Sequence, residues 1–284
     1  MPSALTPGTL HVVSTPIGNL EDVTYRAIRV LREVDLIAAE DTRRTARLLD
    51  HYGITTRRVS LHEHNEARRT AGLLARLAGG QTLAMVSDAG TPLISDPGRR
   101  MVRAAIEAGL RVEAVPGPSA VLTALIASGM AEDTFTFAGF PPTRSKDRKP
   151  WYEDVAHEPR PVVFFEAPHR IRASLADLEA AGGNRTVAIC REMTKIHEKL
   201  VIGPIADVLA ALPEPRGEFT VVLARAETPA PRPTAPSAPV LLEEFHLLTE
   251  GGLSRRAAVR SLASRYDLPS RCVYRAIESA RESR

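Results

Sequence analysis

The stretch TLAMVSDAGTPLISDPG, residues 82–98, decides the fold class of this chain. Its first six residues form a short, mostly apolar run of the kind that fills a buried β-strand. Glycine and proline recur over residues 90–98, which predicts a loop of fixed shape, and a helical pattern follows at 98–108. A strand that leads through such a loop into a helix is the repeating unit of a parallel α/β sheet.

The same alternation continues on both sides of this stretch. Paired strand and helix patterns occur at 10–14 and 24–34, at 35–39 and 42–52, and at 111–115 and 118–127. Their regular alternation predicts a parallel-sheet lobe over residues 1–130.

The next part of the chain has strands that alternate less regularly with helices. Strand patterns occur at 134–140, 162–165, 186–190, 199–202 and 219–223, with a helix at 169–181. This arrangement predicts a mixed sheet in a second lobe over residues 131–226. The expected fold class is therefore α/β with two lobes.

A basic C-terminal segment follows a proline-rich one. The sequence ETPAPRPTAPSAP, residues 227–239, predicts an extended linker, and helices are predicted beyond it at 240–249, 254–264 and 270–281. Residues 251–284 carry eight arginines and three acidic residues, a charge of +5 in a chain whose net charge is +3. The domain of residues 240–284 thus resembles an RNA-contacting helix-turn-helix, and a helical cap for dimerisation is the alternative.

Composition narrows the class of protein. The chain is 44% hydrophobic and 25% charged, as in ordinary globular proteins, and no apolar run approaches the ~20 residues that span a bilayer. Two cysteines cannot form a disulfide framework or a four-ligand zinc site. The first residues lack the pattern of a signal peptide. We therefore expect a cytoplasmic protein with neither a membrane partner nor a metal.

Three loops at predicted strand ends carry the chemistry: STPIGNLED at 14–22, the loop at 86–98, and VPGPSA at 115–120. None contains a dinucleotide-binding or P-loop glycine pattern. Their small residues let the backbone approach a ligand closely, and ligands of such sheets bind beyond the carboxyl ends of the strands. Each loop alone is typical of a tight turn, but together they predict one binding cleft.

These loops and four further segments resemble a known family. AEDTRRT (39–45), FFEAPHR (164–170), REMTKIHE (191–198) and GEFTVVL (217–223) occur in the order found in bacterial small-subunit ribosomal RNA cytidine 2′-O-methyltransferases, a branch of the tetrapyrrole-methylase superfamily. The resemblance extends from about Thr9 to Leu223. The first loop departs from the G-x-G-P-G typical of the superfamily, which argues against a corrin or porphyrin substrate.

The resemblance implies a homodimer that methylates 16S ribosomal RNA in the small ribosomal subunit. S-adenosylmethionine is the implied methyl donor, held between the lobes without a metal. Carried over position by position, the implied cofactor-binding residues are Pro16, Gly18, Asp88, Ala89, Gly90, Thr91, Pro92, Ser119, Ala120, Phe165, Ala167, Glu218, Phe219 and Thr220.

A ribose hydroxyl is a poor nucleophile and needs a general base or a polar group that orients it. Polar residues at predicted strand ends are the candidates: Glu192, Lys195, Asp41, Arg43 and Glu166. The segment REMTK ranks first because it joins a cation and a carboxylate beside an apolar strand, and Lys195 is predicted to have a lowered pKa. An ion pair that joins the lobes through Glu166 and Arg191 is the alternative.

RNA contact is expected outside the cleft as well. Residues 141–151, PPTRSKDRKPW, predict a basic loop beside the only tryptophan, suited to phosphate contact and base stacking. The candidate RNA-binding residues are Arg144, Lys146, Arg148, Lys149, Arg255, Arg256 and Arg271.

Two other functions stay open on the sequence alone. One is a methyltransferase of precorrin or uroporphyrinogen, which shares the chemistry. The other is a DNA-binding regulator whose body senses a small ligand, although the third tail helix begins with a single base-reading residue, Arg271. His62 and His64 also share one face of a predicted strand. Since a third ligand is lacking, we expect them to make polar contacts rather than to bind a metal.

Overall fold

The computed structural model describes residues 5–212, 216–226, 236–266 and 268–282. The first half of the chain forms a five-stranded parallel sheet in the order β3-β2-β4-β1-β5. Its strands are β1 (Thr9–Val13), β2 (Leu36–Ala39), β3 (Arg58–Ser60), β4 (Leu83–Val86) and β5 (Arg111–Val115).

Helices cover both faces of this sheet, so its three inner strands are buried at every position and are mostly apolar. The helices of this half are α1 (Tyr25–Glu33), α2 (Thr42–His51), α3 (Glu63–Ala78), α4 (Arg99–Glu107) and α5 (Ala120–Ala127). Ile37 and Ala84 belong to the core with α1 and α2, whereas Leu36, Leu83 and their neighbours pack with α3 and α4. Because all five strands run in the same direction, each helix that follows a strand begins at the same edge of the sheet.

The second sheet is mixed, in the order β6-β7-β10-β8-β9, with only β6 and β7 parallel. Its strands are β6 (Thr136–Gly139), β7 (Val162–Glu166), β8 (Thr186–Arg191), β9 (Lys199–Pro204) and β10 (Phe219–Leu223). One face is covered by α6 (Ser145–His157), α7 (Ile171–Gly182) and α8 (Ile205–Ala211). The other face packs against α5, whose sequence AVLTALIA is apolar on nearly all sides.

The chain divides into two compact units, Met1–Ala226 and Glu227–Arg284. The second unit contains α9 (Ala238–Glu250), α10 (Arg255–Arg265) and α11 (Ser270–Glu282) around a core that includes Phe245 and Leu262. The predicted linker falls largely on residues 227–235, outside the described residues, and Pro239 lies in the first turn of α9. No helix in the described ranges is long and apolar enough to cross a membrane.

The predicted fold class, a parallel-sheet lobe and a mixed-sheet lobe followed by C-terminal helices, is confirmed. Three predictions of local structure were wrong or incomplete. The strand predicted around His62 and His64 is the start of α3, with His62 as its N-cap. The loop predicted over 141–151 is largely the first half of α6, a helix that contains Pro150. The short polar strand β3 was not predicted, because three residues show too little alternation.

Candidate active site

A cavity of about 340 Å³ lies between the loops of the first sheet and the second sheet. This volume is within the range of small-molecule sites in proteins. The strand-end loops after β1, β2, β4 and β5 contribute to its lining, together with the ends of β7 and β10. The cavity therefore lies where the topology of a parallel sheet predicts a ligand.

Hydrogen bonds join three of these loops into one wall. Thr15 and Gly90 exchange two backbone hydrogen bonds, of 2.9 and 3.0 Å between nitrogen and oxygen. The hydroxyl groups of Ser14 and Thr91 lie 3.1 Å apart, and the Thr91 hydroxyl donates to the carbonyl of Pro118 at 3.0 Å. The structure thus brings together the three loops singled out in the sequence.

Backbone strain is concentrated around the cavity. Among the described residues, the non-glycine residues with positive φ are Leu93 (75°), Ser95 (67°), Glu192 (52°) and Thr194 (67°). All four lie in two loops, residues 87–98 and residues 191–198, that border the cavity. Such conformations cost about 1–3 kcal/mol each and persist where the surrounding structure imposes them, often at functional sites.

One side of the cavity is an acidic wall formed by Glu40, Asp88 and Asp96. The Asp88 amide donates to a Glu40 carboxylate oxygen at 3.2 Å, and the Asp41 amide donates to Asp88 Oδ1 at 2.9 Å. Burial raises the pKa of Glu40, and it raises the pKa of Asp96 to about 6. Arg44, with its Nε 3.5 Å from Asp88, is the cation of this wall. The wall therefore favours a ligand that carries positive charge.

Aromatic and apolar groups also line the cavity. Phe165 and Phe140 line the cavity, with their ring centroids 5.3 Å apart, and Phe137 supports Phe165 from behind at 5.1 Å. Ile94 and Met193 add apolar surface. Such a surface can stack against a flat heterocycle.

The segment REMTK forms an ion-pair network at the edge of the cavity. Lys195 Nζ donates to Glu192 at 3.0 Å and to Glu218 at 2.9 Å, and Glu192 also accepts from the Glu218 amide at 2.8 Å. Burial lowers the pKa of Lys195, but its two carboxylate partners outweigh this effect, and the net pKa is raised. The predicted lowering of this pKa is therefore wrong, and Lys195 stays a cation at neutral pH.

This loop also contacts the first loop of the chain. The Asn19 amide donates to the Thr194 hydroxyl at 3.0 Å, and a Cβ added at Gly18 would lie 2.6 Å from Lys195 Cγ. Thr194 and Lys195 thus hold this loop against the first loop of the chain. Neither Glu192 nor Lys195 lines the cavity. Their assignment as catalytic residues stays a prediction.

Glu166 is almost fully buried, and its carboxylate has internal partners. It accepts from the Ser174 hydroxyl and from the Ala167 amide at 2.7 Å, and the Arg170 guanidinium lies 2.9 Å away. The Tyr152 hydroxyl lies 3.5 Å from its other oxygen. With its side chain 0% exposed, this carboxylate holds the end of β7 and has no access to a substrate proton. Its role as a base is therefore disfavoured, and its cation is Arg170, not Arg191.

Asp41 and Arg43 do not line the cavity. Asp41 is the N-cap of α2 and accepts from the Arg43 amide at 2.8 Å, and the two side chains form an ion pair at 2.8 Å. The Arg43 side chain is 89% exposed. In the same segment it is Glu40 and Arg44 that turn towards the cavity, which the sequence analysis missed.

Most of the predicted cofactor-binding residues line the cavity: Asp88, Ala89, Gly90, Thr91, Ser119, Ala120, Phe165, Ala167, Glu218, Phe219 and Thr220. Pro16, Gly18 and Pro92 do not, and their neighbours Ile17 and Thr91 do so instead. The cavity is also lined by Ser95, Asp96 and Gly217, which were not among the predicted cofactor-binding residues. Within the described ranges no cluster of His, Cys, Asp and Glu could hold a metal ion.

The candidate RNA-binding residues fall on helices. Lys146 and Lys149 are exposed on the first turns of α6, Arg144 is its N-cap, and Arg148 is half-buried. Trp151 is partly buried and packs on the core of the second sheet, with its ring 5.4 Å from the Phe164 ring. Its role in base stacking stays a prediction. In the second unit the exposed arginines include Arg255, Arg256 and Arg271.

Comparison with known proteins adds to this geometry. Residues 9–209 match the family model of tetrapyrrole (corrin/porphyrin) methylases. The chain is 47% identical over 270 residues to the ribosomal RNA small subunit methyltransferase I of Synechocystis, covering 94% of this chain and 96% of that protein. It is 48% identical over 221 residues to the Escherichia coli O157:H7 protein of the same name, covering 76% and 77%.

Solved structures share the fold at low sequence identity. A cobalt precorrin-4 methyltransferase has a TM-score of 0.59 at 14% identity, covering 76% of this chain and 95% of its own. A uroporphyrin-III C-methyltransferase from Thermus thermophilus, complexed with S-adenosyl homocysteine, has a TM-score of 0.56 at 18% identity, covering 76% and 96%.

Proposed function

We propose the function of this chain from the premise that it belongs to the tetrapyrrole methylase family, and within it to the ribosomal RNA small subunit methyltransferases. The family resemblance seen in the sequence motifs is thereby confirmed. The proposed reaction transfers the methyl group of S-adenosylmethionine to the 2′-hydroxyl of a cytidine ribose in 16S ribosomal RNA.

The observation that carries this proposal is the two-sided cavity. S-adenosylmethionine has a positive sulfonium and ammonium at one end and a flat adenine at the other. Glu40 and Asp88 of the acidic wall suit the cationic end, and Phe165 with Phe140 suits the ring. Asp88, with the loop from Ala89 to Thr91, would hold the methionine part, and Phe219 and Thr220 would flank the adenosine. The charged sulfonium makes its methyl group reactive, so the protein must mainly align it with the hydroxyl.

An RNA substrate is favoured over a tetrapyrrole by the degree of similarity. The ribosomal RNA relatives are 42–48% identical to this chain, whereas the structurally similar tetrapyrrole enzymes are 14–20% identical. The first loop, STPIG, also lacks the pattern typical of those enzymes. The DNA-binding regulator has no comparable support.

The exposed cations of α6 and α10 support contact with an RNA backbone. Lys146 and Lys149 lie near the helix N-terminus, where the helix dipole disfavours positive charge and favours a bound phosphate. Arg255 and Arg256 occupy the first turn of α10. We expect charge reversal of these two arginines to weaken RNA binding and to reduce its salt dependence, while S-adenosylmethionine affinity stays unchanged.

An apolar surface supports the proposed homodimer. The exposed large apolar side chains near α5 and β9 are Leu122, Ile126, Ile196, Leu200 and Ile202. Leu200 and Ile202 pair across the sheet with Cys190 and Ala188, which lie on the face covered by α5. They therefore extend that apolar face beyond the helix. A patch of this kind is typical of a protein interface, and a second copy of the chain is the proposed occupant. Sedimentation of the wild type and of Leu200→Glu tests this.

The decisive experiment uses small ribosomal subunits from cells that lack this protein. Incubation with labelled S-adenosylmethionine should place one methyl group per subunit on a cytidine ribose, as found by nuclease mapping. Subunits already methylated by the wild type serve as the control and should accept no label. Label on a base, or transfer only to uroporphyrinogen, would contradict the proposal.

A further inference from the structure

We propose that Asp96 is the general base that accepts the proton of the attacking ribose hydroxyl. This inference rests on the proposed function and deepens it. Asp96 lies in the strained loop between β4 and α4, where Ser95 has a φ of 67° and Gly98 a φ of 110°. Pro97 fixes the backbone between them, so the carboxylate is placed in the cavity by residues on either side.

The chemistry of the cavity wall narrows the choice of base. The ionisable residues among the described lining residues are Glu40, Arg44, Asp88, Asp96, Glu166 and Glu218. The lining contains no histidine, lysine, cysteine or tyrosine from the described part of the chain. A side-chain base at this site is therefore a carboxylate.

Three of the five carboxylates are engaged elsewhere. Glu166 is enclosed and accepts from internal donors. Glu218 is held by Lys195 at 2.9 Å, and its side chain is 65% exposed. Asp88 accepts from the Asp41 amide at 2.9 Å and lies 3.5 Å from the Arg44 guanidinium. Hydrogen bonds and ion pairs of this kind stabilise the charged form and make a carboxylate a weaker base.

The remaining pair is Glu40 and Asp96, and their surroundings differ. Glu40 accepts from the Asp88 amide at 3.2 Å and supports that loop. The Ser87 hydroxyl donates to the carbonyl of Ala89 at 3.2 Å and also lies beside Asp96. No ion pair to Asp96 occurs among the described residues. The charged groups around Asp96 are Glu40, Asp88 and, through Asp88, Arg44. Asp96, which is partly buried, therefore keeps free lone pairs in a negatively charged part of the cavity.

This environment matches the task of a base at neutral pH. Burial, with smaller contributions from Glu40 and Asp88, raises the pKa of Asp96 to about 6. A carboxylate with that pKa is ionised at pH 7 and binds a proton more strongly than an ordinary one, as efficient general bases do. Asp96 accepts the hydroxyl proton while the ribose oxygen forms a bond to the methyl carbon. The carbon–sulfur bond breaks, its electron pair stays on sulfur as neutral S-adenosylhomocysteine, and Asp96 later releases the proton to water.

The test compares Asp96→Asn with Asp96→Glu and with Asp50→Asn, an exposed aspartate on α2 as the matched control. Single-turnover rates are measured at saturating S-adenosylmethionine and small subunits, and cofactor affinity is measured by calorimetry. We expect the rate of Asp96→Asn to fall at least about 100-fold, with cofactor affinity within about threefold of the wild type. Below saturating substrate concentrations, where the pH profile reports the free enzyme, the wild-type rate should rise with pH to a plateau with a midpoint near 6. Asp96→Glu should restore part of the rate with a shifted midpoint.

Thermal stability gives a second readout. An acid whose pKa is raised in the folded state loses stability as pH rises from about 4 to about 6, and the loss persists above that range. Asp96→Asn removes this cost, so its melting temperature at pH 8 should be equal to or above that of the wild type.

Three outcomes would overturn the assignment. They are an Asp96→Asn rate within threefold of the wild type, a loss of cofactor affinity as large as the loss of rate, and a wild-type rate that does not depend on pH between about 5 and about 8 below saturating substrate concentrations. A wild type that transfers no methyl group overturns the proposed function together with this assignment. An active wild type with an equally active Asp96→Asn overturns the assignment alone.

Discussion

The acidic wall of the cavity and the ion-pair network of the 191–198 loop at its edge differ in how their charges are paired. The acidic wall places three carboxylates, Glu40, Asp88 and Asp96, around the single cation Arg44. The 191–198 loop instead surrounds one lysine with two carboxylates, both within 3.0 Å of its Nζ. The pKa values of Glu40 and Asp96 are raised by burial, whereas in Glu192 hydrogen bonds from Glu218 and Lys195 outweigh burial and lower the pKa.

This difference distinguishes carboxylates that stabilise the fold from carboxylates that are suited to bind a ligand. A carboxylate with internal donors is stable in its charged form and contributes to the fold. A buried carboxylate with few partners costs stability, and such a cost is typical of a functional site. Substitutions in the acidic wall are therefore expected to change ligand affinity. Substitutions in the 191–198 loop are expected to change the free energy of unfolding.

The largest effect is expected for Gly90→Val, in the loop that carries Asp88 and Asp96 of the acidic wall. Gly90 has a φ of 75°, and its Cβ would lie 3.3 Å from Ile17 Cγ2. A β-branched residue is strongly disfavoured there and would distort the paired segment with Thr15. We expect S-adenosylmethionine affinity, measured by calorimetry, to fall by at least about 100-fold, or about 2.7 kcal/mol.

Gly109→Val is the control for that variant. Gly109 has a φ of 70° but meets no atom within 4 Å. It tests the backbone strain alone, away from the cavity, and should leave cofactor affinity unchanged. Equal losses of affinity in the two variants would show that global stability, and not the shape of the wall, controls binding.

On the paired side, Gly217→Ala is expected to act on stability. Gly217 has a φ of 86°, and its Cβ would lie 2.5 Å from the Glu192 carboxyl group. We expect a loss of about 2–3 kcal/mol in the free energy of unfolding, from backbone strain and displacement of Glu192. Gly80→Ala has a similar φ of 89° with no neighbour within 4 Å, so it should cost only about 1 kcal/mol. Denaturant unfolding measures both losses. If the two variants lost the same free energy of unfolding, displacement of Glu192 would contribute nothing to the cost of Gly217→Ala.

A smaller effect is expected for Lys195→Met, which keeps the side-chain stem and removes the charge. Glu192 and Glu218 then face each other without a cation, at a cost of about 1 kcal/mol near pH 7. Because the folded-state pKa of Glu192 is lowered, its contribution is present above the ordinary pKa of 4.5 and is lost as pH falls below it. The difference in stability between wild type and variant should therefore shrink below about pH 4.5. Single-turnover rates of the variant also test the predicted catalytic role of Lys195, and a constant stability difference at all pH values would contradict the ion-pair account.

The loops of the acidic wall could be predicted from sequence because their signals are local. Gly90, Thr91 and Ser119 lie within a few residues of strands that a short apolar run reveals, and all strands of a parallel sheet end at one edge. The second-sheet side was reached only through family motifs. Its contacts, such as Gly217 against Glu192, join residues far apart in the chain, and no local pattern encodes them.

The segment AEDTRRT shows the limit most clearly. The sequence analysis chose Asp41 and Arg43, whereas Glu40 and Arg44 line the cavity. The helix was predicted to begin at residue 42, as it does, so its boundary does not explain the error. The sequence does not show that the Asp41 side chain turns back onto α2 as its N-cap, which leaves Arg43 in solvent. Which of two adjacent polar side chains faces a cavity depends on such side-chain contacts, and residue order alone does not give them.

The smallest effect is expected for Asp41→Asn, which tests this reassignment. Asparagine is also a good N-cap, so the hydrogen bond to the Arg43 amide can survive while the ion pair is lost. We expect a melting temperature within about 1–2 °C of the wild type and unchanged cofactor affinity and turnover. Asp41→Ala, which removes the cap as well, should melt about 2–4 °C lower with the same turnover. The Arg43 partner holds the pKa of Asp41 well below its usual range, so the ion pair persists at any pH where the enzyme is assayed. A large loss of turnover in Asp41→Asn at an unchanged melting temperature would show that Asp41 takes part in catalysis. It would contradict the reassignment from Asp41 and Arg43 to Glu40 and Arg44.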